Sequence, residues 1–161
     1  MSSDPALEEA YRRAGRMLSQ LADPARLADR LDLVVALRPL DEDYDHVFQP
    51  GAAEVARAGY AALWERPPIL PIAADQTTLR LAVCYTEELI GYTGRAQSFP
   101  RGYQSIATQL VAGRIWCAWE YLRPGATDGM SFDGLVVVGD RFAWFPKPWR
   151  ILPMASKLEH A

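Results

Sequence analysis

The sequence predicts an α+β protein in which four or five N-terminal helices pack on a C-terminal three-stranded antiparallel meander. Three observations carry that prediction. Apolar residues recur at three- and four-residue spacing from Leu7 to Val111, the period drops to two after Gly113, and proline and glycine punctuate the change.

Asp4 caps the first helix and Pro5 suits its first position, with Leu7, Tyr11, Met17, Leu18 and Leu21 on one face. The Asp-Pro device returns at Asp23 and Pro24, and Leu27, Leu31, Val34 and Val35 then form a second stripe that Pro39 ends, which predicts a helical hairpin. An acidic loop, Asp41 to Asp45, leads into a third helix over 52–65, with Val55, Tyr60, Leu63 and Trp64 inward and Ala52, Ala56 and Gly59 allowing close approach. Pro67, Pro68 and Pro71 make a stiff connection. Residues 76–90 fit both periods: Leu79, Leu81, Val83 and Tyr85 alternate, while Leu79, Val83, Thr86 and Ile90 are helical, and length with Asp75 and Gly91 at the ends favours helix. A shorter helix carries Tyr103, Ile106, Leu110 and Val111 and ends at Gly113. The strands follow at 114–122, 131–138 and 141–145, the last two joined by the Gly139-Asp140 hairpin signal and closed by Pro146 and Pro148.

The helix-then-sheet order also resembles the cystatin-like cone of the nuclear transport factor superfamily, whose curved sheet wraps a helix around a pocket. That alternative requires residues 77–85 to be a strand, and it implies no residue roles. Either way, 161 residues bury enough surface for one domain, read as 1–153 with a frayed tail over 154–161.

Composition excludes several function classes. Residues 1–65 hold 12 acids against 7 bases and residues 66–161 hold 8 against 10, so the formal charge of −3 leaves no basic stripe for nucleic acid. An acidic N-terminus and the lack of an 18-residue apolar run predict a cytoplasmic protein with no signal peptide and no membrane span. Cys84 and Cys117 form no metal-ligand spacing, Cys117 falls on the apolar face of a strand, and His46 is the single histidine away from the C-terminus. Phosphate-loop and nucleophile-elbow motifs are absent. The chain therefore points to no cofactor, no metal and no catalytic residue set. Asp41, Asp43 and Asp45 begin like a calcium loop, but His46 and Ala52 stand where it needs glycine and glutamate.

Two functions remain. The first is a small non-catalytic interaction module, of immunity or regulatory type, that covers a basic site on a protein partner. Asp41, Asp43 and Asp45 would supply the charge and Tyr44 and Phe48 the apolar contact, with Lys147, Trp149 and Arg150 as a proline-stiffened cationic strap. The second is a small-molecule pocket or acid–base enzyme of hydrolase or isomerase type. There Glu120 shares a strand face with Trp116, and Asp133 supplies a second carboxylate. Against it stands a plain ion pair from Glu120 to Arg114 or Arg141.

Overall fold

A computed structural model of the chain describes residues 4–153, so the expected tail at 154–161 lies outside the described residues. The fold is α+β: helices surround a four-stranded antiparallel sheet that does not close, with strand order β1-β2-β3-β4.

Helix α1 spans Pro5–Ala22, and the Asp4 carboxylate accepts from the N–H groups of Ala6 (3.0 Å) and Leu7 (3.2 Å). These bonds, with one from the Tyr85 hydroxyl, hold the Asp4 carboxyl below its usual range. Leu7, Leu18 and Leu21 are buried as their spacing predicts, whereas Tyr11 is half exposed. The second predicted helix is broken. Residues Pro24–Asp29 form 3-10 turns kinked at Arg26, and only Arg30–Val35 is α-helical (α2). With the period changed, Leu27, Leu31 and Val35 turn to solvent and Val34 alone is buried.

The acidic run is helix α3, Asp41–Val47, rather than a loop. Its first turn is entirely acidic, which suits the positive end of the helix dipole, and Asp43 bends back to accept from the Leu40 N–H at 2.7 Å. Helix α4, Pro50–Trp64, buries Ala52, Ala56, Tyr60 and Trp64, while Val55 faces outward. Gly59 admits the close approach expected of it, with Ile151 as the neighbour.

Residues 76–90 satisfy both periodicities in succession. Strand β1 is Thr78–Tyr85 and helix α5 is Thr86–Gly91, the switch being fixed where the Glu88 carboxylate accepts from the Tyr85 N–H at 2.9 Å. The helical reading of 79–85 is therefore corrected: its alternation follows from pairing with β2 along its whole length. The strand that the cone alternative requires is present. The shorter helix predicted to end at Gly113 splits into α6, Gly102–Ile106, and a 3-10 turn, Ala107–Gln109.

Strands β2 (Ile115–Leu122), β3 (Met130–Val138) and β4 (Arg141–Trp144) complete the meander. Gly139 takes φ +64 in the β3–β4 turn. The β2–β3 register shifts between Cys117 and Ala118, which leaves Gly134 of β3 as the extra, bulged residue, at φ +90, where a Cβ would overlap the Phe145 carbonyl. One sheet face packs on α1, with the Tyr121 hydroxyl donating to Leu18 O at 2.7 Å. The other meets the remaining helices through Trp116, Tyr103 and Phe145. The outer edge of β4 is covered, since Trp144 N–H donates to Leu37 O at 2.9 Å. Among the described residues, no helix is long and apolar enough to cross a membrane.

Candidate functional site

Antiparallel register decides which side chains share a face, and here it aligns Arg80, Glu120 and Ser131 across β1, β2 and β3. The next row on that face is Ala82, Ala118 and Asp133. Two adjacent alanines leave the sheet surface low, and Ser98, Phe99 and Pro100 rise beside it. The result is an open cleft of about 440 Å³ with Arg80, Glu120 and Ser131 at its polar end.

Glu120 is engaged but accessible. Its Oε1 pairs with Arg80 Nη1 at 3.0 Å and its Oε2 accepts from the Ser131 hydroxyl at 3.1 Å, while its side chain keeps 19% of its exposure. Arg80 also donates to Thr127 O at 3.4 Å. The arginine partner is thus Arg80 rather than Arg114 or Arg141. Arg114 instead donates to His46 O at 2.9 Å, and Arg141 binds Asp43.

Trp116 and Asp133 do not join Glu120 in this cleft. Trp116 is fully buried, its indole N–H donating to Thr86 Oγ1 at 3.2 Å. Asp133 is buried and its Oδ1 accepts from the Tyr103 hydroxyl (2.7 Å) and the Lys147 N–H (3.0 Å). Burial raises the Asp133 pKa, with those two bonds opposing the rise, and burial beside Asp133 likewise pushes the Tyr103 phenol up. In the register Ala118, not Glu120, stands opposite Asp133, so the paired-carboxylate arrangement is not formed.

The strap after β4 is tied to this buried acid. Lys147 adopts φ 49 while its N–H bonds Asp133, and Tyr60 OH donates to Pro146 O at 3.0 Å. The half-buried Trp149 packs edge-on to Tyr103 at 5.2 Å and over Gly102, where a Cβ would overlap the indole. Arg150 is exposed.

The acidic helix is also largely self-satisfied. Asp43 is buried against Arg141, and Arg57 reaches Asp41 (2.8 Å), Asp45 (3.3 Å) and Glu54 (2.6 Å). Tyr44 and Phe48, expected as the apolar part of a partner contact, are instead buried in an aromatic cluster with Tyr60 and Phe145. Both cysteines are buried, and burial pushes the Cys117 thiol up to about 12. Among the described residues, no three His, Cys, Asp or Glu side chains converge as metal ligands.

Sequence reasoning missed Arg80, Ser131 and the Ser98–Pro100 wall. The usable signal was the odd-even alternation of 79–85, which puts Arg80 and Ala82 on the face opposite Leu79 and Leu81 once it is read as a strand. Compared with protein-family models, with curated proteins and with solved structures, the chain gives no match.

Proposed function

We propose that the protein is a non-catalytic binding module whose ligand enters the cleft at Arg80, Glu120 and Ser131. One observation carries the reading: Glu120 is the only carboxylate of the expected set that lines this cavity. The chemistry on offer is a guanidinium donor, a carboxylate acceptor and a hydroxyl, above a floor of small apolar side chains. That combination complements a zwitterion or an amide, which presents an acceptor and a donor side by side. Asp133, the second carboxylate an acid–base mechanism would use, is spent on Tyr103 and the Lys147 backbone.

The test is calorimetric titration with a panel of free amino acids, dipeptides and simple amides. At least one is expected to bind saturably, and Glu120→Gln, which keeps the shape but removes the charge, is expected to weaken it at least tenfold. Titrations without heat across the panel, or binding indifferent to Glu120→Gln, would overturn the reading.

A second reading, the covering of a basic site on a protein partner, draws support from one arginine serving three carboxylates, since Arg57 leaves negative charge in excess on the exposed faces of α3 and α4. It now rests on Asp41 and Asp45, with Asp43 spared as structural. Asp41→Asn/Asp45→Asn is expected to slow association with a polybasic probe such as a lysine decapeptide several-fold at low salt and to have little effect at 0.5 M salt. Unchanged on-rates at low salt would remove this surface from consideration.

A further inference from the structure

The cleft does not end at Glu120. A second cavity of about 260 Å³ shares Leu81, Ala82 and Ser98 with it, and a third of about 290 Å³ shares Tyr11, Val83 and Arg95 with the second. The three form a groove along β1, bounded by Leu7 and Tyr11 of α1 on one side and by Arg95 and Ser98 on the other.

What runs down the middle of this groove is a strand edge. Thr86 N–H donates to Arg114 O, which makes residues 84, 82 and 80 the hydrogen-bonded partners of β2 and turns the backbone groups of Leu79, Leu81 and Val83 away from it. Tyr85, next in that outward series, has its N–H taken by Glu88. Among the described residues, the N–H and C=O groups of Leu79, Leu81 and Val83 have no hydrogen-bond partner, whereas on the opposite edge Trp144 is paired with Leu37. Val83 is almost completely buried where it lines the groove, whereas Leu79 and Leu81 keep part of their exposure, so the accessible stretch of the edge is centred on these two leucines.

We propose that the groove binds a single extended peptide, added to the sheet as a fifth strand on β1. Alternating free donors and acceptors match another strand's backbone. Five residues from Leu79 to Val83 span about 16 Å and pair with alternate residues of the incoming chain. The walls select the occupant. A single extended segment brings no walls of its own, whereas a second copy would bring its own α1 and turn against those of this chain. The walls also set the pattern: residues facing Leu7 and Tyr11 are apolar, and those facing Ser98, Arg80 and Glu120 are polar, so the peptide alternates. This proposal rests on the reading above in taking the Glu120 cleft as one end of the groove.

The probe is a set of synthetic heptapeptides of alternating apolar and polar residues, compared with peptides of identical composition in blocked order. Alternating peptides are expected to bind at least tenfold more tightly and to shift the amide resonances of Leu79, Leu81 and Val83. Leu81→Pro removes an outward N–H without touching the β1–β2 ladder and is expected to weaken binding at least tenfold. Ser98→Trp, which fills the groove from an exposed wall, is expected to do the same should the proline variant fail to fold. Equal binding of alternating and blocked peptides, binding that survives Ser98→Trp, or concentration-dependent pairing of two β1 edges would overturn the proposal. If amino acids and amides still bind and still require Glu120, the peptide inference alone has failed. If alternating peptides bind through β1 while Glu120→Gln changes nothing, the cleft reading has failed and the edge remains.

Discussion

Arg141→Met is expected to lower the unfolding free energy by about 3 kcal/mol, which in a domain of this size takes Tm down by roughly 6–12 °C. The reason is the environment of Asp43, whose exposure is 0%. Its carboxylate is held by both terminal nitrogens of Arg141, one of them at 2.7 Å, and by the Leu40 N–H at the head of α3. Removing the guanidinium abandons a carboxylate with one backbone donor left. Arg141 is itself about one-third exposed, so water entering its place keeps the loss near the lower end of values for buried pairs. Urea melts measure it, and Arg141→Met/Asp43→Leu should recover more than half of the loss because it leaves no stranded charge. A cost below about 1 kcal/mol for Arg141→Met would mean that Asp43 does not depend on the pair.

Asp133 should separate shape from charge. Asp133→Ala leaves the Tyr103 hydroxyl and the Lys147 N–H without an acceptor inside the protein and is expected to cost about 2–4 kcal/mol. Asp133→Asn keeps an oxygen for both and is expected to be at least as stable as the parent at pH 7. The sign follows from linkage. Burial raises the folded pKa of Asp133 above its unfolded value, so the folded state holds that proton more tightly. Ionisation then opposes folding progressively as pH rises from the unfolded value, about 4, to the raised folded value, and stays constant above it. The asparagine variant lacks this contribution, so its advantage over the parent should grow through that window and then level off. Denaturation of both proteins from pH 3.5 to 8 checks it; a loss in Asp133→Asn equal to that in Asp133→Ala would show that Asp133 acts through its charge.

How legible this was varies by residue. The Asp4 cap, the burial of Leu18 and Leu21, and the three C-terminal strands follow from local rules that tertiary packing did not disturb. Residues 76–90 are ambiguous because one segment carries two elements, and no window centred on it reports both periods. That ambiguity hid the site, since Arg80 meets Glu120 only across a β1–β2 ladder. The acidic run misled for another reason. Charged residues read as solvent-facing, and nothing near Asp43 in sequence announces Arg141, 98 residues away. Likewise Tyr44 and Phe48 read as contact residues beside a charge run, whereas they fill the space between α3, α4 and Phe145.

The meander is continuous in space but uneven in the length of chain between its strands. β3 and β4 are joined by the Gly139-Asp140 turn and β2 and β3 by residues 123–129, while β1 meets β2 only after residues 86–114 have looped out. Ring closure over 29 residues rather than 7 costs about 1 kcal/mol more in chain entropy, before the helices in the excursion are ordered. Loop entropy thus favours the three later strands as the local unit, with β1 as its non-local addition. Once docked, however, β1 is held by eight residue pairs with β2, against the four that hold β4 to β3, so the strand with the open edge is firmly paired on its inner side and a partner on its outer side would fasten the excursion as well as itself.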